Sequence, residues 1–309
     1  MIEFEDQVAV VSGAGRGLGR LYALDLARRG AAVVVNDLGG SMAGDGADAG
    51  VADQVVDEIR SAGGIAVASY DSVDNPSGGE AIVETALREF GRLDAVISNA
   101  GILHTAPFDE LTAEEWRRML RVHLDGAFHL SQPAYKVMKA QGTGRFVFVA
   151  SSAGLFGQPN SAHYAAAKAG TLGLANVIAI EGAEHGILAN CVLPFGYSRM
   201  VWELVGERDD LESDAGFLHA IEPDLVVPMV VYLASKDCHL THHNFSACAG
   251  RFARAFVGLG EGWVADSSDP TAEDLADHLD QIVAPSPYTI PSSIFDEVTD
   301  VCERLGIGG

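Results

Sequence analysis

The chain has 309 residues, 48% of them hydrophobic and 35 of them glycine, and it carries a formal net charge of −23. That length buries a substantial core within one α/β domain. So acidic a balance excludes nonspecific association with nucleic acid or an anionic membrane surface.

The N-terminal run MIEFEDQVAVV has no basic segment followed by a long apolar one, so no signal peptide is expected. Apolar runs such as DLVVPMVVYLAS are too short to span a bilayer. A cytoplasmic protein is the expectation. The scattered Cys191, Cys238, Cys248 and Cys302 form no CxxC pair and read as reduced thiols.

Short β-branched runs alternate with helix-length segments. Strands are predicted at VAVV (8–11), AVVVN (32–36), IAVAS (65–69), LDAVIS (93–98), RFVFVA (145–150) and ILANCVL (187–193). Each is nearly all apolar, as strands covered on both faces are. Between the first two, Leu18, Leu21, Leu24 and Ala27 recur at helical spacing, and Gly30 supplies the stop. Ile82, Ala86 and Phe90 repeat the pattern. Alternation of this kind implies right-handed crossovers and an α/β fold: a single-domain, doubly wound parallel sheet with helices on both faces. A Gly/Asp-rich loop, GGSMAGDGADAG (39–50), interrupts it after the second strand. The main domain is expected over 1–260, with a substrate lid at about 196–222 and a C-terminal extension over 261–309.

VAVVSGAGRGLGR places glycines at 13, 15, 17 and 19 directly after a strand and at the start of a helix. In that context the backbone can approach a pyrophosphate, whose charge is stabilised at the helix N-terminus. Asp37 ends the second strand, 24 residues beyond Gly13. Its carboxylate suits ribose hydroxyls and would repel a 2′-phosphate, and Leu38 and Gly39 supply no compensating cation. The expected cofactor is therefore NAD, although Arg16 within the loop argues for NADP. A turn cap is the plain alternative for Asp37. Asp71 and Ser72 after the third strand, and Asn99, Ala100 and Gly101 after the fourth, fit the same pocket or ordinary turn chemistry.

In HYAAAKAG, Tyr164 and Lys168 stand one helical turn apart, with alanines between them. A phenol of ordinary pKa about 10 is a poor base near neutrality. A nearby ammonium and a cationic nicotinamide would stabilise its phenolate. Ser151, 13 residues upstream at the end of the fifth strand, can hold a substrate oxygen against the phenol.

SGAGRGLG, NAG, Ser151 and YAAAK together resemble the short-chain dehydrogenase/reductase family over roughly residues 5–255. The resemblance implies a Rossmann fold, a nicotinamide cofactor, a small-molecule substrate, and a homodimer or homotetramer. It makes Tyr164 the general acid/base, Lys168 the residue that binds the nicotinamide ribose and tunes the tyrosine, and Ser151 the residue that orients substrate. LPFGYS adds Pro194, Gly196 and Ser198 to a cofactor set of Gly13, Arg16, Gly17, Leu18, Gly19, Asp37, Leu38, Asp71, Ser72, Asn99, Ala100, Gly101, Tyr164 and Lys168.

One departure concerns the family's catalytic asparagine. VHLDG puts His123 in its place, either as part of a water relay to Lys168 or as a structural histidine. VVVNDLGG, RVHLDGAFHL and AAAKAGTLGLANVIAIEG are similar to the (3R)-hydroxyacyl-CoA dehydrogenase domain of peroxisomal multifunctional enzymes and their bacterial stand-alone relatives. That likeness implies oxidation of a (3R)-hydroxyacyl-CoA.

Six acids between 203 and 214, against the single cation Arg208, do not suit polyanionic coenzyme A unless its phosphates sit elsewhere. With Trp202, Leu204, Val205 and Phe217 available to cover a hydrophobic body, a steroid, terpene or alicyclic alcohol is the alternative substrate. A non-catalytic NAD-binding regulator is the alternative from another class. His239, His242 and His243 near Cys238 are read as solvated or interface histidines before an edge strand, so no metal is expected.

Overall fold

The computed structural model describes residues 1–196 and 221–305. Six strands form where the apolar runs lie: β1 (Val8–Ser12), β2 (Ala32–Asn36), β3 (Ile65–Ser69), β4 (Ala95–Ser98), β5 (Gly144–Val149) and β6 (Ile187–Phe195). With β7 (His243–Cys248) and β8 (Arg251–Ala255) they make one sheet in the order β3-β2-β1-β4-β5-β6-β7-β8. All pairings from β3 through β7 are parallel. β8 returns through the two-residue turn Ala249-Gly250, both residues at positive φ, as a tight hairpin requires. β7 is therefore an inner strand and β8 the edge, which corrects the expectation that the histidine run precedes an edge strand.

The sheet is covered on both faces. Val11, Val33 and Val35 point into one buried cluster; Val8, Val10 and Val34 point into the other. Full burial of each valine contributes about 1.5–3 kcal/mol, which explains why these strands lack polar alternation. Helix α1 (Gly17–Arg28) lies on the first face, and α3 (Pro76–Phe90), α5 (Gly126–Gln141) and α7 (Ala162–Gly182) cover the second.

The buried stripe of α1 is Gly19, Tyr22, Ala23, Leu26 and Ala27. Leu18, Leu21 and Leu24 are only partly buried at its flank. The three leucines repeat as regularly as the true face, and the tight approach of Gly19 to the strand loop selects the other stripe. α3 opens on Asn75, whose side chain accepts from the Gly78 N–H, has Pro76 at its first position, and closes at Gly91 with φ 76°.

Two further helices complete the site's surroundings: α2 (Gly50–Ser61) after β2, and α4 (Ala113–Leu120), which runs through a π turn (Arg121–Asp125) into α5. The chain clusters into two compact units, Met1–Arg254 and Ala255–Gly309. The second holds a two-stranded antiparallel ribbon, Leu259–Gly260 with Tyr288–Thr289, and an amphipathic helix, Ile294–Arg304.

Candidate active site

The strand order reverses between β1 and β4, where the chain crosses back over the parallel sheet, and the carboxyl ends of β1 to β6 open there into one cleft of about 810 Å³. This is the topological switch point at which α/β sheets bind ligands. Every expected site residue among the described residues lines that cleft. Ser198, the hydrophobic lid residues and the acids of 203–214 lie outside the described residues.

The glycines make the floor. Gly13 has φ 64°, and a Cβ there would meet the Ala100 Cα at 2.8 Å. A Cβ on Gly19 would meet the Gly13 carbonyl oxygen at 2.1 Å. The loop thus folds flat onto the end of β4. Helix α1 begins just past Arg16 with no side-chain cap and no acid in its first turn, so its positive end is left to the cleft. A shelf of this shape, closed to side chains and open at a helix N-terminus, fits a pyrophosphate.

Asn99 and Ser12 hold the shelf in place. Asn99 Nδ2 donates to the carbonyls of Ser12 and Gly13, both at 3.1 Å. Ser12 Oγ accepts from the Asn99 and Ala100 N–H groups at 3.0 and 3.1 Å. The sequence pointed to Asn99 as a small lining residue; the structure makes it the tie between loop and strand. Ser12 carried no signal, because a serine ending a strand is common.

Asp37 accepts from Gly15 N at 2.8 Å through one oxygen and from Gly39 N at 2.7 Å through the other. It braces the glycine loop and its own turn while lining the cleft. Arg16 donates from Nη1 to the Gly40 carbonyl at 3.0 Å. Loop 39–50 is part of the wall: Ser41, Met42 and Gly44 line the cleft, and the Met42 carbonyl accepts from Leu103 N at 2.9 Å. Asp71 accepts at its backbone from Asn36 Nδ2, 2.9 Å, and at Oδ2 from Ser69 Oγ, 3.2 Å.

On the opposite wall α7 presents Tyr164 and Lys168. Lys168 is buried, and its Nζ donates to the Val149 carbonyl at 2.6 Å, 5.7 Å from the centre of the Tyr164 ring. Burial brings its ammonium down to about 8, and Cys191 opposes that shift. The Cys191 thiol is itself pushed up to about 12 by burial. Burial also raises the Tyr164 phenol above its ordinary value, and the hydrogen bond with Ser151 pulls it back. The expected lowering of Tyr164 by Lys168 is therefore not present in the protein alone. The ammonium is spent on a carbonyl, and desolvation of the phenolate wins.

His123 sits in the π turn beneath this pair. Its Nε2 lies 3.0 Å from Ile102 N and 2.9 Å from Ile102 O. Burial, followed by the Lys168 charge, drives it down to about 3. Gly101 is required beside it, since a Cβ there would stand 2.4 Å from the His123 Cε1. The ring's hydrogen-bonding nitrogen thus serves the backbone of the β4 loop and not Lys168.

The short chain dehydrogenase description matches residues 7–205, the greater part of the chain. The chain belongs to the short chain dehydrogenase family. Members of this family use a nicotinamide dinucleotide, act on small-molecule substrates and are commonly oligomeric. The family assignment accounts for the strand order and makes the protein an oxidoreductase.

Similar proteins include the peroxisomal hydratase-dehydrogenase-epimerase of Saccharomyces cerevisiae, 45% identical over 82% of this chain and 27% of that protein. A short-chain type dehydrogenase/reductase of Mycobacterium tuberculosis is 41% identical over 88% of this chain and 92% of its own length. The solved full-length peroxisomal multifunctional enzyme type 2 of Drosophila melanogaster superposes with a TM-score of 0.80 at 33% identity, over 99% of this chain and 50% of that one. The chain thus spans between about a quarter and two thirds of the multifunctional relatives, and nearly all of the mycobacterial dehydrogenase.

Proposed function

We propose that the protein is an NAD-dependent dehydrogenase of (3R)-hydroxyacyl-CoA substrates. One observation carries the reading: a single cleft joins the glycine shelf, the Asp37 carboxylate and the Ser151–Tyr164–Lys168 wall. Bound NAD supplies the hydride acceptor. The chain's own residues orient the alcohol and take its proton. Ser151 and Tyr164 hold the substrate hydroxyl between them, and Tyr164 accepts the proton as phenolate. Lys168, held by the Val149 carbonyl, would bind the nicotinamide ribose, and the cationic nicotinamide would favour the phenolate that the protein alone does not.

The choice of NAD rests on Asp37. Its two oxygens face Gly15 and Gly39 at the floor of the cleft, and a 2′-phosphate there would meet a carboxylate. The Arg16 guanidinium, the cation of the glycine loop, is engaged by the Gly40 carbonyl. The choice of acyl-CoA rests on likeness to the multifunctional enzymes, in which one named activity is dehydrogenase.

The test is NADH formation with 3-hydroxybutyryl-CoA and longer (3R)-hydroxyacyl-CoA esters, beside cyclohexanol and steroid alcohols. NAD should exceed NADP in kcat/KM, and the acyl-CoA esters should exceed the neutral alcohols. Turnover confined to neutral alcohols would reject the acyl-CoA assignment, and equal use of NADP would reject the role of Asp37.

A further inference from the structure

Three polar side chains outside the Ser151–Tyr164–Lys168 wall stand in line behind it. His163 is fully buried on α7, one residue before Tyr164. Its Nε2 is 3.4 Å from Nδ1 of His104, and the two rings meet edge to face with centroids 5.6 Å apart. The other nitrogen of His104, Nε2, is 3.2 Å from Oε1 of Glu115. Glu115 is fixed in turn, because its Oε2 accepts from N and Oγ1 of Thr112 at 2.8 and 2.7 Å in the capping box that opens α4.

The line has only one consistent set of protons when both rings are neutral. A carboxylate only accepts, so His104 carries its hydrogen on Nε2 and offers a lone pair at Nδ1. His163 must then donate from Nε2. Its own Nδ1, buried with no partner among the described residues, is left as a bare lone pair.

This line is attached to the site. His104 follows Ile102 and Leu103, which line the cleft. The Ile102 backbone holds the His123 ring, and that ring meets Tyr164 edge to face. We propose that Glu115, His104 and His163 form a protonation-sensitive clasp that positions the 102–104 wall of the cleft against α7. They are positioning residues for the dehydrogenase reaction, and the inference rests on the functional reading given above.

A proton added to His104 goes to Nδ1, the only nitrogen without a hydrogen. His163, still neutral, answers by carrying its hydrogen on the unpartnered Nδ1, so that its Nε2 accepts from His104, and the contacts to His163 and to Glu115 both become charge-assisted. The proton is not passed inward, because burial and then His104 hold His163 below its ordinary value, against the pull of Glu115. The other charged or titratable groups facing the clasp are His123 in the π turn, which responds to His163, and Lys168 behind it on α7.

Two measurements test the clasp. In the protein without ligand, imidazole 15N resonances are followed from about pH 5 to 8, the range in which histidines ordinarily titrate. His163→Gln assigns one signal, and His104→Asn supplies an acceptor that gains no proton. The His163 signal should shift with the protonation of His104, and that inflection should vanish in His104→Asn. An unmoved His163 signal overturns the clasp.

The second measurement is reduction of acetoacetyl-CoA, where Tyr164 acts as an acid and its own ionisation limits only the alkaline side. KM should fall roughly fivefold toward acid pH, the gain from exchanging a neutral hydrogen bond for a charge-assisted one, and should become flat in His104→Asn. An acid fall that survives in His104→Asn, or no fall at all, overturns the positioning role. Coupled resonances without turnover of any substrate would instead locate the failure in the proposed function.

Discussion

His123 and Tyr164 meet edge to face, with ring centroids 5.2 Å apart and planes at 89°. The histidine is anchored on its far side by the Ile102 backbone and is neutral at any pH near 7, because burial has driven it down to about 3. An imidazole so placed acts as a wall for the tyrosine. His123→Asn should therefore leave the pH dependence of kcat/KM unmoved. A shift of either limb by a full unit would return the ring to the proton path.

The same histidine makes stability depend on acid. The unfolded chain binds its proton near the ordinary value of about 6.5, whereas the folded chain resists until about 3. Between these values the unfolded state holds more protons, so stability falls as pH falls through that window. Two pH units into it, at about pH 4.5, the loss attributable to this group is on the order of 2–3 kcal/mol. Urea unfolding of wild type and His123→Asn at pH 7.5 and 4.5 measures it. The difference in midpoint between the two pH values should shrink in the variant.

Tyr164→Phe removes the group that exchanges the proton. Turnover should fall by about 10²- to 10⁴-fold, the usual weight of a general acid or base, while NAD affinity by calorimetry stays near wild type. Retained turnover would leave the protein a dinucleotide binder with its chemistry elsewhere.

Gly19→Ala places a methyl 2.1 Å from the Gly13 carbonyl oxygen, in a contact backbone atoms cannot relieve cheaply. The glycine shelf should be pushed off β4, with loss of measurable NAD binding and a stability cost of about 1–3 kcal/mol. Titration calorimetry and thermal melting read the two effects separately.

Tyr22 is fully buried on α1 with its hydroxyl unpartnered among the described residues, and burial pushes its ionisation well above the ordinary range. Tyr22→Phe keeps the ring and removes the orphan group. Stability should hold or rise by up to about 1 kcal/mol. A loss of that size in urea unfolding would show that the hydroxyl has a partner in solution.

Much of this architecture can be read along the chain. Six β-branched runs have no polar alternation because both faces of the sheet are covered, and the glycine loop and Asp37 follow their strands at short range. Tyr164 and Lys168 lie one helical turn apart, a spacing local backbone geometry alone converts into a shared face. Periodicity was insufficient on α1, where the leucines and the true buried stripe repeat equally well. It was silent on loop 39–50, whose Met42 bonds to Leu103 across 61 residues.

Strand placement, the cofactor shelf and the tyrosine–lysine pair were settled by composition and spacing, since each depends on neighbours within a turn or a short loop. The direction of Lys168 toward Val149, the raised ionisation of Tyr164, the anchoring of His123 and the His104–His163 contact were settled by packing. Those properties depend on desolvation and on partners 19 to 59 residues apart, and burial in a shared interior has no local signature in the order of amino acids.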